Sequence, residues 1–317
     1  MNKSSTELIS VIKSALPTTL KTAWWMVRLT VTVTFSVSVL KYFGVIDAIA
    51  EYMSPFFRLM GLPGDASLVF ITGYFVNVYS AIAVMATLTI DLRSVTILAV
   101  MCLCAHSMII ETAVQKKTGS SAVRMIFVRT FYAILSGFVL NLLLPENPAL
   151  IETAHVENAV SGFRSVLTEW AIAATELSVK MFVIIVVLNV VQRILSEYGV
   201  IAAVSGYLSP LMRLFGLPAG LSFLWVVANI LGLSYGAAVM IEECRSGKIE
   251  RKDADLLNYH IGISHSNFED MMLFFFAGAS IPWMLFLRWF FSGTAVWLRR
   301  SEIFLRNRFS GRDVKNI

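Results

Sequence analysis

The chain has 317 residues, of which 57% are hydrophobic and only 15% are charged. A soluble domain carries about a quarter charged residues, so the composition excludes an ordinary soluble protein and predicts an all-α polytopic membrane protein. The formal net charge of +5 does not indicate nucleic-acid binding, because the basic residues form short clusters beside apolar runs. The three cysteines have no disulfide spacing pattern, and we expect free thiols.

Apolar runs of spanning length, about 20 residues, divide the chain from its beginning to its end. The segment 1–22 is polar and basic and lacks a cleavage pattern, so it is expected to be a cytoplasmic segment before an uncleaved first span. A basic cytoplasmic tail, 299–317, is expected after the last span. The six predicted spans are 23–46, 94–114, 122–144, 172–195, 255–279 and 280–298.

Two amphipathic stretches, 47–60 and 202–215, are predicted to be interfacial helices. Each is followed by an apolar run, 66–90 or 221–241, that polar and helix-breaking residues interrupt. Each run is either a further spanning helix or a re-entrant hairpin. Bent backbone at membrane depth is tolerated only where protein buries it or where it lines a wet cavity, so two hairpin tips would imply a central site.

The chain uses one unit of roughly 125 residues twice, which is the pattern of an internal repeat. Residues 52–63 and 207–218 are identical at eight of twelve positions. The predicted domains are a first repeat, 23–145, an external connecting loop, 146–171, and a second repeat, 172–298.

Lysine and arginine placement distinguishes hairpins from further spans, because the cytoplasmic flanks of spans are enriched in both residues. With two hairpins, both termini and the basic loops at 116–124 and 245–252 lie on one side, the cytoplasm, and the acidic loop lies outside. This assignment favours hairpins. Three spans per repeat is an odd number, so we predict two inverted repeats, each with three transmembrane helices, an interfacial helix and a re-entrant hairpin.

Each repeat also contains a His-Ser pair, an acidic residue five positions after the histidine and an arginine eighteen positions after the acid. Glu111 is matched in this way with Arg129, and Asp270 with Arg288. A charge in the bilayer is costly unless it is paired or wet, so we interpret these residues as structural ion pairs. A gate that breaks and remakes one pair during transport is the alternative.

Five residues along a helix correspond to about 140° of rotation, so each histidine is expected to face away from that acid. Glu269 would share the face of His265, whereas the first repeat has Ile110 at the matching position. We expect His265 and Glu269 to be coupling groups of a binding site, with simple helix–helix hydrogen bonding as the alternative. The other candidate solute-binding residues are Asn77, Tyr79, Ser80, His106, Ser107, Asn229, Ser234, Tyr235, Ser266 and Asn267.

Metal and enzyme chemistry are not expected from the sequence. Met101, Cys102, Cys104, His106 and Met108 are soft ligands close in sequence, but on a helix the two cysteines point about 200° apart. The second repeat has no matching cluster, so no metal site is expected. Without a phosphate loop, a metalloprotease motif or a nucleophile elbow we expect no enzyme and no cofactor, with H+ or Na+ as candidate coupling ions.

The repeated SP-x-x-R-L-x-G-LP unit, the hairpin-like run after it and the HS-x-x-x-[ED] helix resemble the Gate, or nucleoside recognition, domain. That domain also occurs in the membrane regions of ferrous-iron permeases and in spore-maturation proteins, and the element order resembles concentrative nucleoside transporters. The resemblance covers both halves and implies a multi-pass protein of the bacterial inner membrane with a transporter-like build. It does not imply nucleosides as substrate, because the substrate- and sodium-binding motifs of those transporters are not matched.

We therefore expect secondary transport of a small polar or anionic solute, nucleoside-like solutes included, through a midplane site between the hairpin tips. A non-transporting membrane scaffold or assembly partner is the main alternative, and a metal-ion permease is a further one. The expected partners are the lipid bilayer, the solute, and a second copy of the chain or a second Gate-family protein.

Overall fold

A computed structural model describes residues 5–145 and 162–309, and this part of the chain is helical without strands. The first half contains α1 (Ser5–Tyr42), α2 (Val45–Arg58), α3 (Ala66–Phe75), α4 (Val78–Met85), α5 (Leu92–Ala105), α6 (Met108–Lys117) and α7 (Ala122–Leu143). The second half contains α8 (Phe163–Glu197), α9 (Val200–Leu214), α10 (Ser222–Ile230, after a 3-10 turn), α11 (Leu233–Arg245), α12 (Arg251–Ser264), α13 (Asp270–Phe276) and α14 (Ile281–Phe309).

The two halves have the same order of helices, so that α1 to α7 correspond one for one to α8 to α14. The correspondence includes the turns. Gly44 and Gly199 both have φ 70°, and each separates a long helix from the amphipathic helix that follows. Glycine adopts this left-handed conformation without a Cβ penalty, so the chain can change direction within two residues.

The amphipathic stretches form α2 and α9 within two residues of their predicted bounds. Each helix has a buried face and an exposed face. Phe57 is buried in α2 and Met212 in α9, whereas Tyr52 and Tyr207 are exposed. This division is typical of a helix that lies along the surface of the molecule.

Both interrupted apolar runs fold back on themselves as pairs of short helices, which we call the first hairpin (α3–α4) and the second hairpin (α10–α11). A Cβ on Gly73 would lie 3.1 Å from Ala81 Cβ, and a Cβ on Gly236 would lie 2.9 Å from Ala228 Cβ. Residues eight positions apart are about 12 Å apart along a continuous helix, so these contacts require a reversal of the chain. In the first hairpin Asn77 begins α4, and its side chain accepts a hydrogen bond from the Ser80 amide at 2.9 Å.

The helices that carry the His-Ser pairs are broken, and the expectation of unbroken helices there is wrong. Ser107 and Ser266 have left-handed φ values of 48° and 53°. Their amides donate to backbone carbonyls of the hairpins, Ser107 to Gly73 at 2.9 Å and Ser266 to Ala228 at 3.1 Å. In a continuous helix each serine amide would donate to a carbonyl of the preceding turn. Here a hairpin carbonyl accepts that hydrogen bond instead, and this tertiary contact ends α5 and α12.

Four of the six predicted spans correspond to helices long and apolar enough to cross a membrane, within the described ranges: Leu8–Tyr42, Leu92–Lys117, Ala122–Leu143 and Phe163–Glu197. The predicted spans 255–279 and 280–298 are helical, as α12–α13 and α14, but are not among these four. α8 and α14 both extend beyond their predicted spans, α8 into the expected loop and α14 into the expected tail.

The four apolar stretches differ in how deeply they lie in the molecule. The most apolar part of Leu92–Lys117 is 67% buried, whereas the corresponding parts of α1 and α8 are 18% and 22% buried. α1 and α8 pack along each other at the edge of the molecule. The broken helix α5–α6 is therefore the centre of the fold, and the long helices α1 and α8 are peripheral.

Candidate functional site

The two helix breaks meet at the centre of the molecule and bring together two histidines and two acidic residues, which we call the central cluster. His106 Nε2 lies 3.1 Å from Glu111 Oε1 and 3.2 Å from Asp270 Oδ2. His265 Nε2 lies 3.1 Å from the same oxygen of Glu111. The two imidazole rings are 4.8 Å apart, and all four residues are at most 9% exposed.

These contacts contradict the expectation that each histidine faces away from the acid of its own repeat. That expectation assumed 3.6 residues per turn from the histidine to the acid. The break at Ser107 cancels this rotation and turns Glu111, in the first turn of α6, back toward His106. In the second half, Asp270 contacts the histidine of the other repeat.

The second ring nitrogen of each histidine fixes the orientation of the imidazole. His106 Nδ1 lies 3.1 Å from the Cys102 carbonyl oxygen, and His265 Nδ1 lies 2.7 Å from the Ile261 carbonyl oxygen. A carbonyl oxygen only accepts, so Nδ1 carries the hydrogen in both rings. Each Nε2 therefore faces the carboxylates, as an acceptor in the neutral imidazole and as a donor in the imidazolium ion.

Two fully buried arginines lie beside the cluster, at the carboxyl ends of α5 and α12. Arg129 donates to the Cys104 and His106 carbonyls at 3.2 and 2.7 Å, and Arg288 donates to the Ile263 and His265 carbonyls at 2.9 and 2.5 Å. A cation at the carboxyl end of a helix and an anion at the amino end of the next both complement the helix dipoles. The breaks are therefore stabilised electrostatically from both sides.

The expected ion pair of the first repeat is present, since Arg129 Nη2 lies 2.6 Å from Glu111 Oε2. The expected pair of the second repeat is wrong. Among the described residues Arg288 has no carboxylate within ion-pair distance, and its Nη1 donates instead to Asn267 Oδ1 at 2.8 Å. Asp270 lies on His106, so one arginine of the symmetric pair is held by an amide and by carbonyl groups alone.

A second set of polar side chains lies beside the cluster and is centred on Glu269, which has no acidic counterpart in the first half. Glu269 accepts a short hydrogen bond from the Tyr79 hydroxyl of the first hairpin and another from Gln192 Nε2 at 3.2 Å. Gln192 also donates to the Ile230 carbonyl, at the turn of the second hairpin, at 2.8 Å. Glu269 and His265 do not share a helix face as expected, because the break lies between them.

Gln192 was missed by the sequence reasoning, although an amide side chain in the apolar α8 was a usable signal. Asn267 and Asn229, both expected at the site, are bonded to each other at 2.6 Å, and Asn229 also donates to the Trp225 carbonyl. The two asparagines connect Arg288 to the end of α10. Hydrogen bonds therefore run without a gap from Arg288 through both asparagines to the Trp225 carbonyl.

The remaining expected residues lie at the hairpin turns. Asn77 caps α4, Ser80 is buried in that helix, and Ser107 Oγ donates to the Val76 carbonyl at 3.3 Å. Ser234 and Tyr235 are in α11, but their side chains lie outside the described residues. The structure thus brings the first hairpin turn, both histidine breaks and the end of α10 to one place.

Two comparisons with known proteins found a match. A family model described as nucleoside recognition, the Gate domain, matches residues 23–140. The chain is also similar to the uncharacterized membrane protein YvoD of Bacillus subtilis (strain 168), with 28% identity over 271 residues, 84% of this chain and 87% of that protein. No solved structure matches the chain. The chain is therefore a membrane protein whose described residues include four helices long and apolar enough to cross a membrane, and its residues 23–140 match the Gate domain.

Proposed function

We propose that the protein is a secondary transporter for a small polar or anionic solute, which binds beside the central cluster between the two hairpins. The observation that carries this proposal is the burial of two histidines, two carboxylates and two arginines where the helix breaks meet, with the half-buried Glu269 beside them. Ionisable groups at membrane depth are expensive and commonly mark substrate or ion pathways. Groups needed only for packing could be replaced by apolar side chains without this cost.

The proposed arrangement in the membrane is an inverted repeat with two re-entrant hairpins. Each half has three long helical stretches, formed in the first half by α1, α5–α6 and α7. An odd number of crossings places the second half upside down relative to the first. The hairpins then enter from opposite faces, and their short helices, of 8 to 13 residues, are too short to span the bilayer.

The proposed orientation places both termini in the cytoplasm of a bacterium and the protein in its inner membrane. The last turn of α6, with Lys116 and Lys117, and the first turn of α12, with Arg251 and Lys252, are basic. Basic loops stay in the cytoplasm by the positive-inside rule.

The polar network supports a polar rather than an apolar solute. Tyr79, Gln192, Asn229 and Asn267 offer hydroxyl and amide groups next to the turn of each hairpin. Asn267 and Glu269 are half-buried rather than buried, which supports access from a water-filled path. Broken helices also present free backbone groups to a solute, as in other transporters with discontinuous helices.

Transport is tested in two steps, beginning with a thermal-shift screen of the purified protein against nucleosides and organic anions. The compound that stabilises the protein is then used for uptake into reconstituted vesicles. Tyr79→Phe and Asn267→Ala should weaken the binding of this compound about tenfold or more, the loss of roughly 1.4 kcal/mol. Ile110→Ala is the matched control, because Ile110 occupies the position of Glu269 in the first half and is exposed.

A scaffold without transport activity predicts a different outcome. If no compound in the screen stabilises the protein and reconstituted vesicles take up none of them above protein-free vesicles, the transport proposal is contradicted. Equal uptake by Tyr79→Phe, Asn267→Ala and the wild type would contradict the placement of the site.

A further inference from the structure

We propose that His106, His265 and Asp270 form a binding site for a divalent transition-metal ion, with Glu111 as the fourth ligand. This inference goes beyond the proposed transport, because metal binding at these residues does not depend on whether a solute is carried. The three residues come from two helix breaks that lie far apart in the sequence and meet only in the folded protein.

Three pairs of ligand atoms have the separations that a small metal ion requires. Glu111 Oε1 is 3.1 Å from both Nε2 atoms, and Asp270 Oδ2 is 3.2 Å from His106 Nε2. Ligands at 2.0 to 2.1 Å from a tetrahedral ion are about 3.3 Å apart, so these contacts match three of the six edges of such a site. One atom from each of His106, His265 and Asp270 lies within 4.8 Å of the others, so binding of the ion draws the remaining pairs together.

The histidines are already oriented as metal ligands. Each Nδ1 donates to a backbone carbonyl, of Cys102 or Ile261, which leaves Nε2 as the coordinating atom. A metal-binding histidine almost always donates its other ring nitrogen to a carbonyl or carboxylate in this way, since the hydrogen bond fixes the tautomer and the ring. The second oxygen of Glu111 lies 2.6 Å from Arg129 Nη2 in an ion pair.

The kind of ligand selects the kind of ion. Two imidazoles with carboxylates suit Zn²⁺, Fe²⁺, Co²⁺ or Ni²⁺, whereas Mg²⁺ and Ca²⁺ prefer sites made of oxygen alone. The soft residues of the first half do not supply this site. Cys102 and Cys104 lie on α5 before the break and are free and buried, and the described ligand group contains neither of them.

Cobalt substitution tests the site directly with the full-length protein in detergent, after treatment with a chelator. Co²⁺ bound by four nitrogen and oxygen ligands in a tetrahedron absorbs visible light much more strongly than aqueous Co²⁺. We expect such bands at one Co²⁺ per chain and their loss on addition of Zn²⁺. His265→Ala and Asp270→Asn should raise the dissociation constant of Co²⁺ by about tenfold or more. His260→Gln and Cys244→Ser are the matched controls, and neither residue contacts the cluster.

X-ray absorption spectroscopy of the Zn²⁺-bound wild type identifies the ligand atoms directly and needs no variant to fold. The expected spectrum has nitrogen and oxygen ligands near 2.0 Å and imidazole scattering, without sulfur near 2.3 Å. Absence of the cobalt bands, unchanged affinity in His265→Ala, or a sulfur ligand would each overturn the metal site. None of these results bears on uptake of a solute by vesicles, which is measured without added metal.

Discussion

The two central arginines are equivalent by sequence but have different partners, and this difference predicts unequal effects of substitution. Arg129→Met leaves the Glu111 carboxylate buried without its guanidinium partner, which costs roughly 3 to 5 kcal/mol of stability. Arg288→Met removes hydrogen bonds to an amide and to carbonyls but leaves no carboxylate without an ion-pair partner, so its cost should be smaller. Thermal unfolding of both variants in the same detergent measures the difference.

The double variant Arg129→Met with Glu111→Gln is the control for this prediction. Removal of both charges should recover part of the stability that the single Arg129→Met variant loses, because no unpaired buried charge remains. Equal unfolding temperatures for Arg129→Met and Arg288→Met would contradict the assignment of Glu111 to Arg129 alone.

The hydrogen bond between Tyr79 and Glu269 connects the first hairpin to the second half of the chain, and it should be measurable as a coupling energy. Tyr79→Phe leaves a carboxylate oxygen without its hydroxyl donor, at a cost of roughly 1 to 3 kcal/mol. In a Glu269→Gln background the same substitution should cost less, and the difference is the coupling energy of the pair. Additive effects of the two substitutions would show that the residues do not interact.

At the scale of residues, sequence spacing identified which side chains would be central but not all of their partners. The eighteen-residue spacing gave the pair of Glu111 with Arg129, because acid and arginine lie equally far from the turn between their helices. The same spacing failed for Asp270, because the sequence does not show that Asn267 and two carbonyl groups hold Arg288. The left-handed serines were not predictable either, since glycine or asparagine is the usual signal for that conformation.

At the scale of elements, the two hairpins depend on glycines that allow close contact between their helices. Gly236→Val places a side chain against Ala228, where even a Cβ would be only 2.9 Å away, and Gly73→Val meets Ala81 and Cys102 in the same way. Overpacking of this kind costs typically 1 to 3 kcal/mol. Both variants should therefore unfold at a lower temperature than the wild type.

Gly206 is the control for the two hairpin glycines. It is an exposed residue within α9, and a Cβ added there has no neighbour within 4 Å. Gly206→Ala should stabilise the protein by up to about 1 kcal/mol, because alanine favours the helix more than glycine does. A stabilising effect of Gly73→Val or Gly236→Val would show that the hairpin helices are not in close contact.

The turns within the hairpins were predictable from composition, whereas the breaks at the histidines were not. Asn77 and Gly232 interrupt apolar runs with residues that favour turns, and the chain reverses at both. At His106 no such residue adjoins the break, and at His265 Asn267 follows the left-handed serine rather than occupying its position. There the helix ends because a hairpin carbonyl, of Gly73 or Ala228, takes the serine amide, and such contacts form only after the elements pack together.

At the scale of the whole molecule, the internal repeat predicted the order of the helices and the meeting of the two halves. The extents of the long helices were less predictable, because amphipathic ends add length that hydropathy does not register. α1 begins at Ser5 within the expected polar segment, and α14 continues to Phe309. The expected loop, 146–171, is helical from Phe163, and its part at 146–161 lies outside the described residues.

We propose that two oppositely oriented halves bring their helix breaks together inside the membrane. Single cysteines labelled from outside intact cells with a membrane-impermeant reagent test this orientation most directly. The background is Cys244→Ser, because Cys102 and Cys104 are buried. The account predicts labelling of Asn158→Cys in intact cells and labelling of the exposed position Lys117→Cys only after permeabilisation. Labelling of Lys117→Cys but not of Asn158→Cys in intact cells would contradict the proposed orientation, because the connecting loop would then be cytoplasmic and the basic end of α6 external.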